Sequence, residues 1–174
     1  LRVSISTSYF PMMWPAPEPV KLTVHAGAST IAVPVRKRNL TDKPVVFANP
    51  EAAAPVQQKQ IKKASNSRKT WIDKKTGHTK MAIVDDFGTQ ELKPHGMIVS
   101  GVGRETYSID PNDPLSAIME THWTEGHKRG KWETRTETYG RLTETKTHWI
   151  VWGKIEALEG KKRVFLKEFK EQIE

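Results

Sequence analysis

An all-β, antiparallel fold is what this sequence predicts, and three observations carry the prediction. Apolar residues recur with a period of two along almost the whole chain. The runs are separated by Gly, Pro, Asp and Asn residues of the kind that make turns. Thr, Glu, Lys and Arg fill the alternate positions, as in antiparallel sheets with one wet face.

The elements follow in order. Residues 1–6 alternate cleanly, as do 20–25. After Ala26 and Gly27, Ile31, Val33 and Val35 fall in phase over 29–35. These are three expected strands with a turn between the last two. Pro15, Pro17 and Pro19 make 14–20 an extended crossing segment, because proline lacks the ladder donor and restrains its predecessor. Residues 36–55 are charged and proline-punctuated and read as a linker, with room for one helical turn near Pro50 to Ala54. From 56 onward a long antiparallel meander is expected. A long, polar, bent strand covers 56–72, and Asp73 to Gly77 turns into 79–85. Asp86-Phe87-Gly88 reads as a further turn before a short strand at 89–92. Strand 97–109 contains Gly101 and Gly103, the signature of a bulge or a close backbone approach. After the turn at Asp110 to Pro114, Leu115, Ala117, Met119, Thr121 and Trp123 share one face, with His122 on the other. Residues 126–130 turn, 131–139 return, and 145–158 follow. Glu159-Gly160-Lys161-Lys162 closes the last hairpin. Residues 161–174 fit either a strand or a terminal helix, since Phe165, Phe169 and Ile173 are four apart, and the preceding hairpin favours the strand.

The chain of 174 residues has a net charge of +8. Residues 1–54 hold six Lys/Arg and three Asp/Glu, and residues 55–174 hold 22 and 17. The excess is therefore spread out, as on a solvated surface, and neither a nucleic-acid nor a membrane partner is expected. No cysteine is present, which excludes disulfides and thiolate metal sites and fits a reducing, cytoplasmic compartment. No apolar run approaches the ~20 residues of a membrane-spanning helix.

The chain carries few residues in patterns that point to catalysis. Ser100 in "IVSGVG" lacks the G-x-S-x-G pattern and the strand–helix unit of a nucleophile elbow. His25, His78, His95, His122, His127 and His148 form no short motif with a nucleophile, and His122 and His127 lack the spacing of a helical metal pair. Asp85-Asp86-Phe87-Gly88 contains "DFG" without any other kinase motif. Glu120, Glu125, Glu133, Glu137 and Glu144 suit exposed cross-strand ion pairs. Trp71, Trp123, Trp132, Trp149 and Trp152 suit either cross-strand packing or an aromatic ligand platform. No catalytic residue, metal ligand or cofactor is assigned. A carbohydrate-binding or other polar-ligand module is the alternative function on these grounds.

The opening stretch "LRVSISTSYFPMMWPAPEPVKLTVHAGASTIAVPVR" resembles the C-terminal region of the CocE/NonD family of hydrolases, related to the X-Pro dipeptidyl-peptidase group. The stretches "YSIDPNDPLSA", "TEGHKRGKWETRTETYGRLTET" and "WGKIEALEGKKRVFLKEFKEQI" are similar to an extended C-terminus in one branch of that family. The resemblance implies that residues 1–35 are the last strands of a jelly-roll β-sandwich, 36–55 a linker and 56–174 a β-meander extension. It also implies an upstream α/β-hydrolase domain of the same polypeptide, carrying a Ser-His-Asp triad for ester or acyl-peptide hydrolysis. No position here matches that family's nucleophile elbow, so no catalytic residue carries over. The implied role is a non-catalytic accessory domain that shapes the hydrolase cleft or builds a homo-oligomer. Ile5, Tyr9, Phe10, Met12, Met13 and Trp14 are expected either to pack on the extension or to drive self-association.

Overall fold

Among the described residues, eight antiparallel strands form one continuous sheet. They are β1 (Gln58–Lys62), β2 (Ser65–Ile72), β3 (Thr79–Leu92), β4 (Met97–Asp110), β5 (Asp113–Arg129), β6 (Trp132–Glu144), β7 (Trp149–Glu159) and β8 (Lys162–Ile173). The computed structural model describes residues 2–37 and 39–174. From β3 to β8 each strand pairs with the next, as a meander should, while β1 and β2 both pair with β3. Thus β1 and β2 are one long edge strand broken at Lys63 and Ala64, the bent strand expected over 56–72.

The expected turns at Asp73–Gly77, Asp110–Pro114 and Glu159–Lys162 all join neighbouring strands. Asp73 fixes the first by accepting hydrogen bonds at one oxygen from the Lys75 N–H (2.8 Å) and the Thr76 N–H (3.0 Å). Gly77 completes it with a φ of 77°, a conformation that favours glycine. Residues 161–174 take the strand alternative: Phe165 pairs with Ala157 and Phe169 with Gly153.

Several expectations are corrected. Asp86-Phe87-Gly88 is no turn; β3 runs through it with a bulge between Asp86 and Gly88. Strand β5 continues to Arg129, so the turn is confined to Gly130 and Lys131. Residues 145–148 turn before β7 rather than beginning it, and His148 therefore lies in that turn. No strand occurs among the described residues from 2 to 57, and Leu1, the first residue of one expected strand, lies outside them. The turn after His25 does form, with the Ala28 and Ser29 N–H groups both donating to His25 O at 2.9 Å. Its flanks have the strand period without a ladder partner, and alternation alone cannot make a strand when no neighbour accepts its backbone hydrogen bonds. Residues 50–54 form no helical turn. Among the described residues no helix is long and apolar enough to cross a membrane.

The sheet is one layer thick. The accessible surface of the whole chain is 14515 Å², against about 8,600 Å² for a compact protein of this mass. Ala117 is the one fully buried apolar residue among those described. Two unlike faces result. The register places Tyr107, Met119, Leu142 and Val151 in one cross-strand row, flanked by Met81 on β3. Trp123, Ile155, Phe165 and Phe169 share that apolar face by strand alternation. The Trp123 indole and the Phe169 ring lie over Gly103 and Gly153, their direct partners, so that large side chains fill the space left by glycines.

The opening stretch crosses one end of this face. Phe10 meets the Tyr107 ring edge-on at 6.2 Å, and Trp14 lies 5.5 Å from both Phe10 and Trp149. Burial, together with the 2.7 Å hydrogen bond to Glu105 and its charge, pushes the Tyr107 hydroxyl up to about 12, so it stays a donor. Ile5, Tyr9, Met12 and Met13 remain exposed. Of the six residues expected to seek partners, Phe10 and Trp14 alone are half-buried against the sheet.

Candidate binding face

The opposite face is charged, and its geometry follows from register. One cross-strand row reads Arg104, His122, Tyr139, Lys154 and Glu168 on β4 to β8. The next reads Thr106, Glu120, Arg141, Trp152 and Lys170. The His122 ring stacks on Tyr139 at 4.3 Å with a 9° tilt, and Lys154 Nζ lies over the Tyr139 ring at 4.3 Å. His122 Nε2 lies 2.7 Å from Glu137 Oε2, and the Thr124 hydroxyl donates to the same oxygen at 2.7 Å. Arg135 adds an ion pair to Glu137 at 3.0 Å. The Trp152 indole N–H donates to Glu168 at 2.7 Å, which fixes the plane of the ring.

These contacts set the acid response. Burial pushes Glu137 up. Hydrogen bonds from Thr124 and His122, with the charges of His122 and Arg135, outweigh that and hold it below the usual glutamate range. Asp86 is lowered chiefly by its hydrogen bond from Lys62, then by the Gly88 N–H. Asp73 and Glu156 are lowered too, by the backbone N–H groups of Thr76 and Lys75 and by Arg163 respectively. Carboxyl groups lowered by folding stabilise the fold above their unfolded values. That contribution is lost as pH falls through the lowered ones. Glu144 opposes the trend: burial raises it, more than the neighbouring Trp14 indole lowers it, so its charged form weighs against the fold. The melting midpoint is therefore expected to stay nearly flat from about pH 7 to about 5.5 and to fall below about pH 4.5. Glu137→Gln should shrink that acid limb. A midpoint that rises on acidification contradicts the assignment.

Ser100 and His95 share no hydrogen bond: Ser100 lies within β4 and His95 in the turn before it. His122 has a carboxylate partner, but the hydroxyl nearby, Thr124, donates to that carboxylate rather than to the imidazole. His122 and His127 alternate to opposite faces of β5, which separates them as metal ligands. No group of three or more His, Asp or Glu able to hold a metal occurs among the described residues. Glu120 and Glu133 make the expected cross-strand ion pairs, with Arg141 at 3.8 Å and Lys128 at 3.3 Å. Trp123 and Trp149 belong to the apolar face, and Trp152 to the charged one. The sequence set His122 opposite Trp123 correctly, but the row joining it to Tyr139 and Lys154 needed the register. The matched positions of Glu, Lys and Arg in β5, β6 and β7 were the only signal.

Fold and site together define a single-layer antiparallel sheet with one apolar and one charged face. Compared with protein-family models, curated proteins and solved structures, the chain matches none.

Proposed function

We propose that this chain is a non-catalytic accessory module of a CocE/NonD-like serine hydrolase, which supports the hydrolase domain or builds its oligomer. One observation carries the reading: the sheet is a single layer whose apolar face is covered at one end alone. Ile83 and Ile155 are half-buried there, and Phe87, Phe165 and Phe169 are exposed. A sheet with an apolar face ordinarily buries it against a second layer. Residues 20–35 add to this support. Val20, Leu22, Val24, Ile31, Val33 and Val35 alternate as strands do, yet all are exposed. A partner surface would supply the missing ladder and the missing layer at once. In this reading the partner is the α/β-hydrolase domain of the same polypeptide, and the nucleophile lies there.

The test is hydrolysis of p-nitrophenyl acetate and butyrate by this chain and by the longer hydrolase polypeptide side by side. The expected result is turnover by the longer protein and none above buffer by this chain. Turnover by this chain alone, abolished by Ser100→Ala, would overturn the non-catalytic part of the reading. A longer protein without turnover would overturn the hydrolase part.

A further inference from the structure

The charged face carries a trough of about 680 Å³ between β4 and β8 that no contact within the chain fills. Its lining is asymmetric in charge. Arg141 pairs with Glu120 only loosely, at 3.8 Å, and both side chains are about half exposed, 51% and 55%. Among the described residues no ion pair engages Arg104 or Lys170. Arg104, Arg141 and Lys170 stand on β4, β6 and β8, so each is two strands from the next. Two strand spacings are ~9.5 Å. Between Arg141 and Lys170, in the same row, lies the half-buried Trp152 indole, held by Glu168.

We propose that this trough binds a linear, carboxylate-bearing oligosaccharide running across the strands. Cations recurring on β4, β6 and β8 call for a ligand whose anionic groups recur, a chain rather than a single small molecule. The indole offers one flat apolar surface for the face of a sugar ring. The hydroxyls of Thr106 and Thr143, with the Glu120 carboxylate, suit the hydroxyl groups at its rim. Carboxylates on the ligand would take Arg141 from its loose pairing with Glu120 and give Lys170 and Arg104 their first partners. A nucleic acid fits less well. The Tyr139 ring, stacked on His122 and capped by Lys154, is closed to base stacking, and Glu120, Glu137 and Glu168 would repel a dense row of phosphates. The inference rests on the charged face alone and stands apart from the accessory-module reading.

Calorimetric and tryptophan-fluorescence titrations with tetragalacturonate test it, with neutral xylotetraose and a short single-stranded DNA as comparators. Tetragalacturonate is expected to bind, to weaken with added salt and to perturb the fluorescence; xylotetraose is expected to bind at least about ten-fold more weakly. Arg141→Gln and Lys170→Gln should each weaken the acidic ligand by about ten-fold, with the melting profile confirming that the sheet is intact. Lys74→Gln, in the β2–β3 turn, should change it by less than about two-fold, which separates a site from general attraction to a basic protein. Absence of binding, equal binding of the neutral chain, tighter binding of DNA, or an equal effect of Lys74→Gln would each overturn the proposal.

Discussion

Gly88→Ala is expected to lower the melting midpoint by roughly 6–20 °C and to detach β1 and β2 from the sheet. Gly88 is buried at the bulge of β3 with a φ of 78°. A Cβ there would lie 2.4 Å from Lys62 O and 2.9 Å from Ala64 N. Both are backbone atoms of the link between β1 and β2, so no rotamer change relieves the clash. Forcing an L-residue into the left-handed region adds about 1–2 kcal/mol, and the backbone clash brings the total to about 3–5 kcal/mol. The bulge also organises its surroundings: the Gly88 N–H donates to Asp86 at 2.8 Å, and Asp86 pairs with Lys62. Gly96→Ala is the control. Its φ is 64°, yet a Cβ would meet nothing within 4 Å. It should therefore show the conformational penalty alone. Equal losses in the two variants would mean that the close approach at Gly88 has no energetic weight.

The second large effect is expected at Trp123. Its indole stacks on Phe87 at 5.9 Å and lies over Gly103, linking β3, β4 and β5 at the centre of a sheet that has no second layer. Trp123→Ala should destabilise the protein by about 2–4 kcal/mol, because it strips the cover from Gly103 and the stacking partner from Phe87. Trp123→Phe keeps part of the stack and should cost less than half as much. Urea unfolding of the two variants measures both. A Trp123→Ala protein as stable as the parent would show that the ladder, not this cluster, holds the centre.

How far the sequence speaks depends on what each feature needs. Asp73, Gly77, Pro111 and Gly160 mark turns through their own backbone preferences, so the hairpins of the meander were legible residue by residue. Phe87-Gly88 misled for the same reason: a turn and a bulge both want a glycine at positive φ, and only the pairing of Gly88 with Gly101 tells them apart. The period of residues 20–35 is that of a strand, but period fixes which side chains share a face, not whether a partner is present. The charged face was legible in part. Alternation separated His122 from Trp123, while the stacking of His122 on Tyr139 depends on a register that two strands set jointly. Trp152 between Arg141 and Lys170 is likewise a fact of three strands together.

Backbone amide hydrogen exchange, on this chain alone and within the longer hydrolase polypeptide proposed above, tests the proposed docking role most directly. The account predicts strong protection across β4 to β7 in both, with the amides of residues 20–25 and 29–35 exchanging at nearly unprotected rates in the chain alone and becoming protected in the longer protein. Equal protection of residues 20–35 in both would contradict it, since those residues would then gain no partner from the hydrolase domain.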